Sequence, residues 1–134
     1  RDKDYQKGID TCISGLNMLS RIPDSSDMAA QIGYILSMQK TLNYIMLKDY
    51  KSAYKSAEEC YSYQAETYSI SVQVRDMYAM LALETGDTET YKTLEEEIKE
   101  YGDAEAGFSQ DVKDYKAGKV TLQELAQSGG YDLL

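Results

Sequence analysis

Two thiols, Cys12 and Cys60, and a surplus of carboxylates are the side chains that could carry chemistry in this sequence, which has no histidine. General acid–base work at neutral pH most often uses histidine. A cysteine nucleophile usually draws its reactivity from a histidine partner. The two cysteines therefore read as small buried apolar side chains, with a disulfide between them as the alternative. They are far apart and in no metal-ligand spacing, so a zinc site is not expected. Glu95, Glu96 and Glu97 are consecutive. On a helix such neighbours point about 100° apart, so they cannot converge on one substrate and read as a solvated face. No glycine-rich phosphate loop is present.

The stretch KDYKAGKVTLQEL, Lys113 to Leu125, ends like a calcium-binding loop. Its first, third and fifth ligand positions would fall on Lys113, Tyr115 and Ala117, and none is a carboxylate. A helix-turn-helix end explains these residues better, with Thr121 and Glu124 as a capping box. The sequence thus assigns no catalytic residue, no cofactor and no metal, and the chain is expected not to be an enzyme. The one catalytic class left open is an acidic hydrolase built on a carboxylate pair.

Charge narrows the partners. The net charge is −9, and the two halves differ: residues 1–67 carry eight Lys/Arg and nine Asp/Glu, residues 68–134 six and fourteen. Such a surface repels phosphate backbones and anionic headgroups, so nucleic-acid binding is not expected. No apolar run is long enough to suggest direct membrane insertion. The chain opens on Arg1 rather than Met and reads as a fragment or processed part of a longer chain. A cytoplasmic location and an extracytoplasmic part of a membrane-anchored protein both stay open. Oligomeric state is not legible.

The elements that would position any site are helices. Tyr5, Ile9, Cys12, Ile13, Leu16 and Leu19 recur at steps of three and four, which predicts a helix over 2–19. Pro23 marks the loop RIPDSSD, with Ser25, Ser26 and Asp27 as cap candidates. A second helix over 28–47 has Met28, Ile32, Ile35, Leu42 and Met46 on one face and Ser37, Thr41, Tyr44 and Lys48 on the other. A third, from Tyr50, faces inward with Ala53, Tyr54, Ala57, Cys60 and Tyr61. A fourth over 66–84 carries Ile70, Val74, Met77, Tyr78 and Leu81. Gly86 ends it and Asp87 caps the fifth, which carries Tyr91, Leu94, Ile98 and Tyr101. A sixth, restarting near Asp103, carries Phe108, Val112 and Tyr115. A short seventh ends at Gly129-Gly130. No window alternates as a strand would, so the class is all-α, one domain over 1–134. Thirteen tyrosines against one phenylalanine and no tryptophan suit thin layers, where a ring is buried and its hydroxyl reaches a wet edge.

Three helices open alike: KDYQKGIDTCISGLNML at Lys3, KDYKSAYKSAEECYSYQ at Lys48 and GDTETYKTLEEEIKEYG at Gly86. A small polar pair leads each, and a core-facing position follows at Gly8, Ala53 or Tyr91. GKVTLQEL at Gly118 is a weaker copy. This pattern resembles the tetratricopeptide repeat, with KDYKSA its closest match and YAMLALETGDTETY matching a helix end, turn and restart. The spacings depart from the family period of about 34: Tyr5 to Tyr50, Tyr50 to Thr88 and Thr88 to Val120 are all different. The array is degenerate, and it opens on what would be a second helix.

The resemblance implies antiparallel hairpins stacked as a short right-handed superhelix of about seven helices. It also implies a concave groove that binds a peptide or partner helix. Met38, Leu42, Ile45 and Met46 would line that groove from one hairpin, and Asp76, Met77, Met80 and Glu84 from the next. Methionine suits adaptable binding surfaces, although the same residues could fill core gaps. Asp76 and Glu84 would favour a ligand with a neutral or basic flank. The function expected is a non-catalytic protein–protein interaction scaffold. The alternative is a sensory or accessory ligand-binding domain of a larger membrane-anchored or secreted protein.

Overall fold

The computed structural model describes residues 2–21, 27–67, 69–101 and 107–133. They form seven helices and no strand: α1 (Asp2–Leu19), α2 (Asp27–Met46), α3 (Tyr50–Glu66), α4 (Val72–Thr85), α5 (Thr88–Tyr101), α6 (Gln110–Lys116) and α7 (Leu122–Gln127). Ser25, Ser26 and Asp103 lie outside the described residues.

Three turns share one local chemistry. Lys48, Gly86 and Gly118 all have positive φ, at 59°, 86° and 75°. After each, a backbone N–H reaches back five residues: Asp49 to Tyr44 at 3.0 Å, Asp87 to Ala82 at 2.8 Å, and Lys119 to Asp114 at 2.8 Å. This satisfies carbonyls that a helix end leaves open. The next helix is then capped by a side chain. Asp49 accepts from the Ser52 N–H at 3.2 Å, and Asp87 accepts from the Thr90 N–H at 3.1 Å. Thr121 and Glu124 make the expected capping box.

Consecutive helices α1 to α5 pack against each other, α6 packs on α4, and α7 returns to α2. α4 runs through the middle, with every residue from Asp76 to Ala82 buried. Of the inward positions expected on α3 and α5, Ala53, Ala57, Cys60, Tyr91, Leu94 and Ile98 are buried, while Tyr50, Tyr54 and Tyr61 are half-buried.

Phe108, expected on the sixth helix, precedes α6, which begins at Gln110, and Lys48, expected on the outer face of the second helix, sits in the left-handed turn after α2. Two further expectations need correction. α4 begins at Val72, not near residue 66. The Gln64 side chain accepts from the Ser71 N–H at 2.8 Å and Ser71 Oγ at 3.1 Å, and Ser71 caps α4. That tether separates the end of α3 at Glu66 from the start of α4 and leaves Ile70 outside the helix. The second correction concerns the faces of α2. Ser37 and Thr41 are buried, while Met28 and Ile32 are exposed. The hydroxyls are satisfied where they sit: Ser37 donates to Glu59 at 3.0 Å and Thr41 to the Ser37 carbonyl at 2.7 Å. A hydroxyl with a partner can be buried at little cost. Lys40, on the same side, pairs with Glu59 at 3.1 Å.

Candidate functional site

The residues expected to line a groove divide three ways. Met38, Ile45, Met77 and Met80 are core, and Met77 and Met80 are 0% exposed. Leu42 and Met46 are half-buried and line a cavity of 250 Å³ together with Ala126, Gln127 and Gly129 of the C-terminal segment. Asp76 is buried and Glu84 exposed, and each already has a partner. Asp76 accepts from Arg75 Nε at 2.8 Å and from the Ser109 N–H at 2.9 Å, and Glu84 accepts from the Tyr115 hydroxyl at 2.9 Å. The eight therefore do not form an open groove.

The chain's own C-terminal segment explains this. Stacked hairpins would keep the last one away from α2. Instead α7 lies on α2, with Leu122, Leu125 and Tyr131 buried in the same cluster as Met38, Ile45, Met77 and Met80. The Gln123 amide donates to the Ile45 carbonyl at 3.0 Å and also to the Tyr50 hydroxyl. Gln39 donates to Asp132 at 3.3 Å, and Tyr131 donates to Asp111 at 2.8 Å.

Exposed apolar surface gathers at one end of the stack. Gly8 faces Asn43 and Gly15 faces Leu36, which sets α1 antiparallel to α2. Gly33 faces Tyr63 and Ser37 bonds Glu59, which sets α2 antiparallel to α3. Gln64 meets Ser71 while Tyr54 meets Asp87, and α4 turns back in the same way. The end of α1, the start of α2, the α3–α4 linker and the start of α4 thus share one end. There Met18 is 67% exposed, Met28 68%, Ile32 40%, Ile70 41% and Val72 51%. A cavity of 370 Å³ opens at this end, lined by the uncharged Gln31, Tyr34, Gln64, Thr67, Ser69 and Ser71. Periodicity alone could not find this face, because it is assembled from helix ends and a linker.

The tyrosines hold the layers together. Tyr78 lies 5.6 Å from Tyr54 and 5.1 Å from Tyr61, ring to ring. The hydroxyls donate to carboxylates of neighbouring segments: Tyr54 to Asp87 at 2.6 Å, Tyr61 to Glu97 at 2.9 Å and Tyr78 to Glu58 at 3.4 Å. Burial, then the Glu97 bond, pushes the Tyr61 phenol up to about 12. Tyr115 and Tyr131 are raised by burial first and by their carboxylate partners Glu84 and Asp111 next, and Tyr78 by burial first, then by Tyr54 and Glu58. Asp87 is lowered, chiefly by the Tyr54 hydrogen bond.

Cys12 and Cys60 are both buried and free, and Cys60 Sγ donates to the Tyr34 carbonyl at 3.2 Å. Burial pushes the Cys60 thiol up to about 12. That keeps it protonated at neutral pH, the wrong direction for a nucleophile or metal ligand. Among the described residues, no three Cys, Asp or Glu side chains are grouped as metal ligands would be, and no helix is long and apolar enough to cross a membrane. Against known proteins, no family model, no curated protein and no solved structure matches this chain.

Proposed function

We propose that this chain is a non-catalytic interaction module, a short set of tetratricopeptide-like hairpins whose last helix folds back on α2, and that it docks a segment of a partner protein at the end where α2 and α4 begin. The observation that carries the reading is the exposed set Met18, Met28, Ile32, Ile70 and Val72, each at least 40% exposed, on a chain of net charge −9. Gathered exposed apolar side chains mark docking surfaces, whereas scattered ones need no explanation. Methionine at two of the five positions suits a surface that adapts to its ligand. The polar groups beside them are amides and hydroxyls, which complement backbone and neutral side chains. The expected class of function is kept, and its surface moves from the Met77–Met80 side of α4 to the end of the stack. An apolar face beside an uncharged cavity favours a partner segment with leucine, isoleucine or aromatic anchors.

The test is a pull-down from lysate of the source cell, with wild type beside a Met28→Glu, Val72→Glu double variant. Both positions are exposed, so the variant folds and melts as wild type does. A protein retained by wild type and lost by the variant supports the reading. Equal retention, or none by wild type, overturns it.

A further inference from the structure

A third cavity, between α5 and α6, has a different chemistry. It measures 260 Å³, with a floor of Tyr91, Ile98, Phe108 and Val112 and a border of Lys99, Lys113 and Lys116. Among the described residues Glu95 is the one carboxylate lining it. The floor is fixed from several sides. Tyr91 and Phe108 stack at 5.1 Å. The Arg75 guanidinium lies 5.7 Å from the Phe108 centroid while its Nε bonds Asp76. Lys116 Nζ donates to the Tyr91 hydroxyl at 3.1 Å and sits 5.0 Å from that ring's centroid.

Three ammonium groups around an apolar pit are unexpected in the acidic half of an acidic chain. Like charges brought together repel, and carboxylates are plentiful nearby in sequence. Yet neither ion pair of the described residues, Lys40–Glu59 or Arg75–Asp76, uses any of the three. Among the described residues that line the cavity three lysines stand against one carboxylate, a local excess of positive charge that favours anionic ligands. The pit's size selects among anions. It falls below the roughly 300–1,000 Å³ of small-molecule pockets, and suits one large apolar side chain.

We propose that this cleft binds an acidic linear segment of a partner protein. One aromatic or leucine side chain seats against Tyr91, Ile98, Phe108 and Val112, and flanking aspartates or glutamates pair with Lys99, Lys113 and Lys116. The neutral or basic flank expected from the sequence rested on Asp76 and Glu84, which are both engaged within the fold. The cleft is separate from the apolar end face, and each site can fail without the other.

The probe is a fluorescein-labelled peptide, Gly-Glu-Asp-Phe-Asp-Glu-Gly, titrated by fluorescence anisotropy. Two control peptides replace Phe by Ala, or every carboxylate by its amide. Saturable binding is expected, with each control weaker by about tenfold or more, since buried anchors and paired charges carry most of the affinity of such contacts. Raising salt from about 50 to 500 mM weakens binding as screening shortens the charge interactions. A Lys99→Glu, Lys113→Glu variant of the whole chain, altered only at exposed positions, loses binding. Lys99→Gln, Lys113→Gln weakens it less, and Met28→Glu, Val72→Glu leaves it unchanged. No saturable binding by wild type overturns the proposal, as does equal binding of the Phe→Ala peptide or undiminished binding by the Lys→Glu variant. Loss of partner retention by the end-face variant, with peptide binding intact, separates the two sites.

Discussion

Replacing Met77 by alanine asks directly whether this side chain is core or groove. Met77 is 0% exposed and belongs to the cluster that joins α2, α3, α4 and α7. Truncating a buried methionine removes its transfer energy and leaves a cavity, for a loss of about 2–5 kcal/mol; a value near 3 kcal/mol is the working figure. The entropy of unfolding is about 2.1 cal/mol/K per residue, or about 0.28 kcal/mol/K for the 134 residues. The melting temperature should then fall by about 10 °C. Met28→Ala, at a position 68% exposed, should stay within about 0.5 kcal/mol of wild type, a shift of about 2 °C. Thermal unfolding followed by circular dichroism measures both. A fall of less than about 3 °C for Met77→Ala would refute its placement in the core, since an open groove leaves the side chain in water already.

Lys48→Gly should raise stability by about 1 kcal/mol, because Lys48 holds a left-handed conformation at φ 59° that costs a side chain about that much; a lower melting temperature would count against the turn described. Gly33→Ala should destabilise despite alanine's higher helix propensity, because its Cβ would sit 2.6 Å from the Tyr63 ring; a stabilised variant would mean the ring moves aside freely. Asp76→Ala should cost about 3 kcal/mol, since it strands Arg75 and the Ser109 N–H beside a buried site, and urea unfolding reads the loss. Alkali should unfold the protein. Tyr61 is raised above its unfolded value to about 12, so its contribution is complete below pH 10 and is lost as pH rises through about 12. Tyr61→Phe should make that decline less steep, and a urea midpoint unchanged from pH 9 to pH 12 would exclude the effect.

Much of the fold is legible in residue types at helical spacing. The capping box at Thr121 and Glu124, the inward faces of α3 and α5, and the turn at Gly86 and Asp87 all follow from local chemistry acting within a few residues. Lys48 was harder to read, since only its equivalence to Gly86 hints that it occupies the same left-handed position. Burial on α2 was misread because hydropathy marks Ser37 and Thr41 as outward, whereas each hydroxyl has a partner on or beside the helix. The groove was misread for a non-local reason. The segment that covers it comes from 78 residues further along, as the bond from Gln123 to Ile45 records, and no window of sequence contains both. The apolar end face and the lysine-bordered cleft are assembled from separate elements in the same way. Their residues were visible one by one, and their gathering was not.

The most direct measurement of the interaction reading places a photo-crosslinking benzoylphenylalanine at position 28, at position 72, or at Lys51, an exposed residue near the opposite end of α3. Irradiation in lysate of the source cell, followed by mass spectrometry, identifies what each position touches. The account predicts one protein captured at positions 28 and 72 and absent at position 51. Capture at position 51 alone, equal capture at all three, or none at 28 and 72 would contradict it.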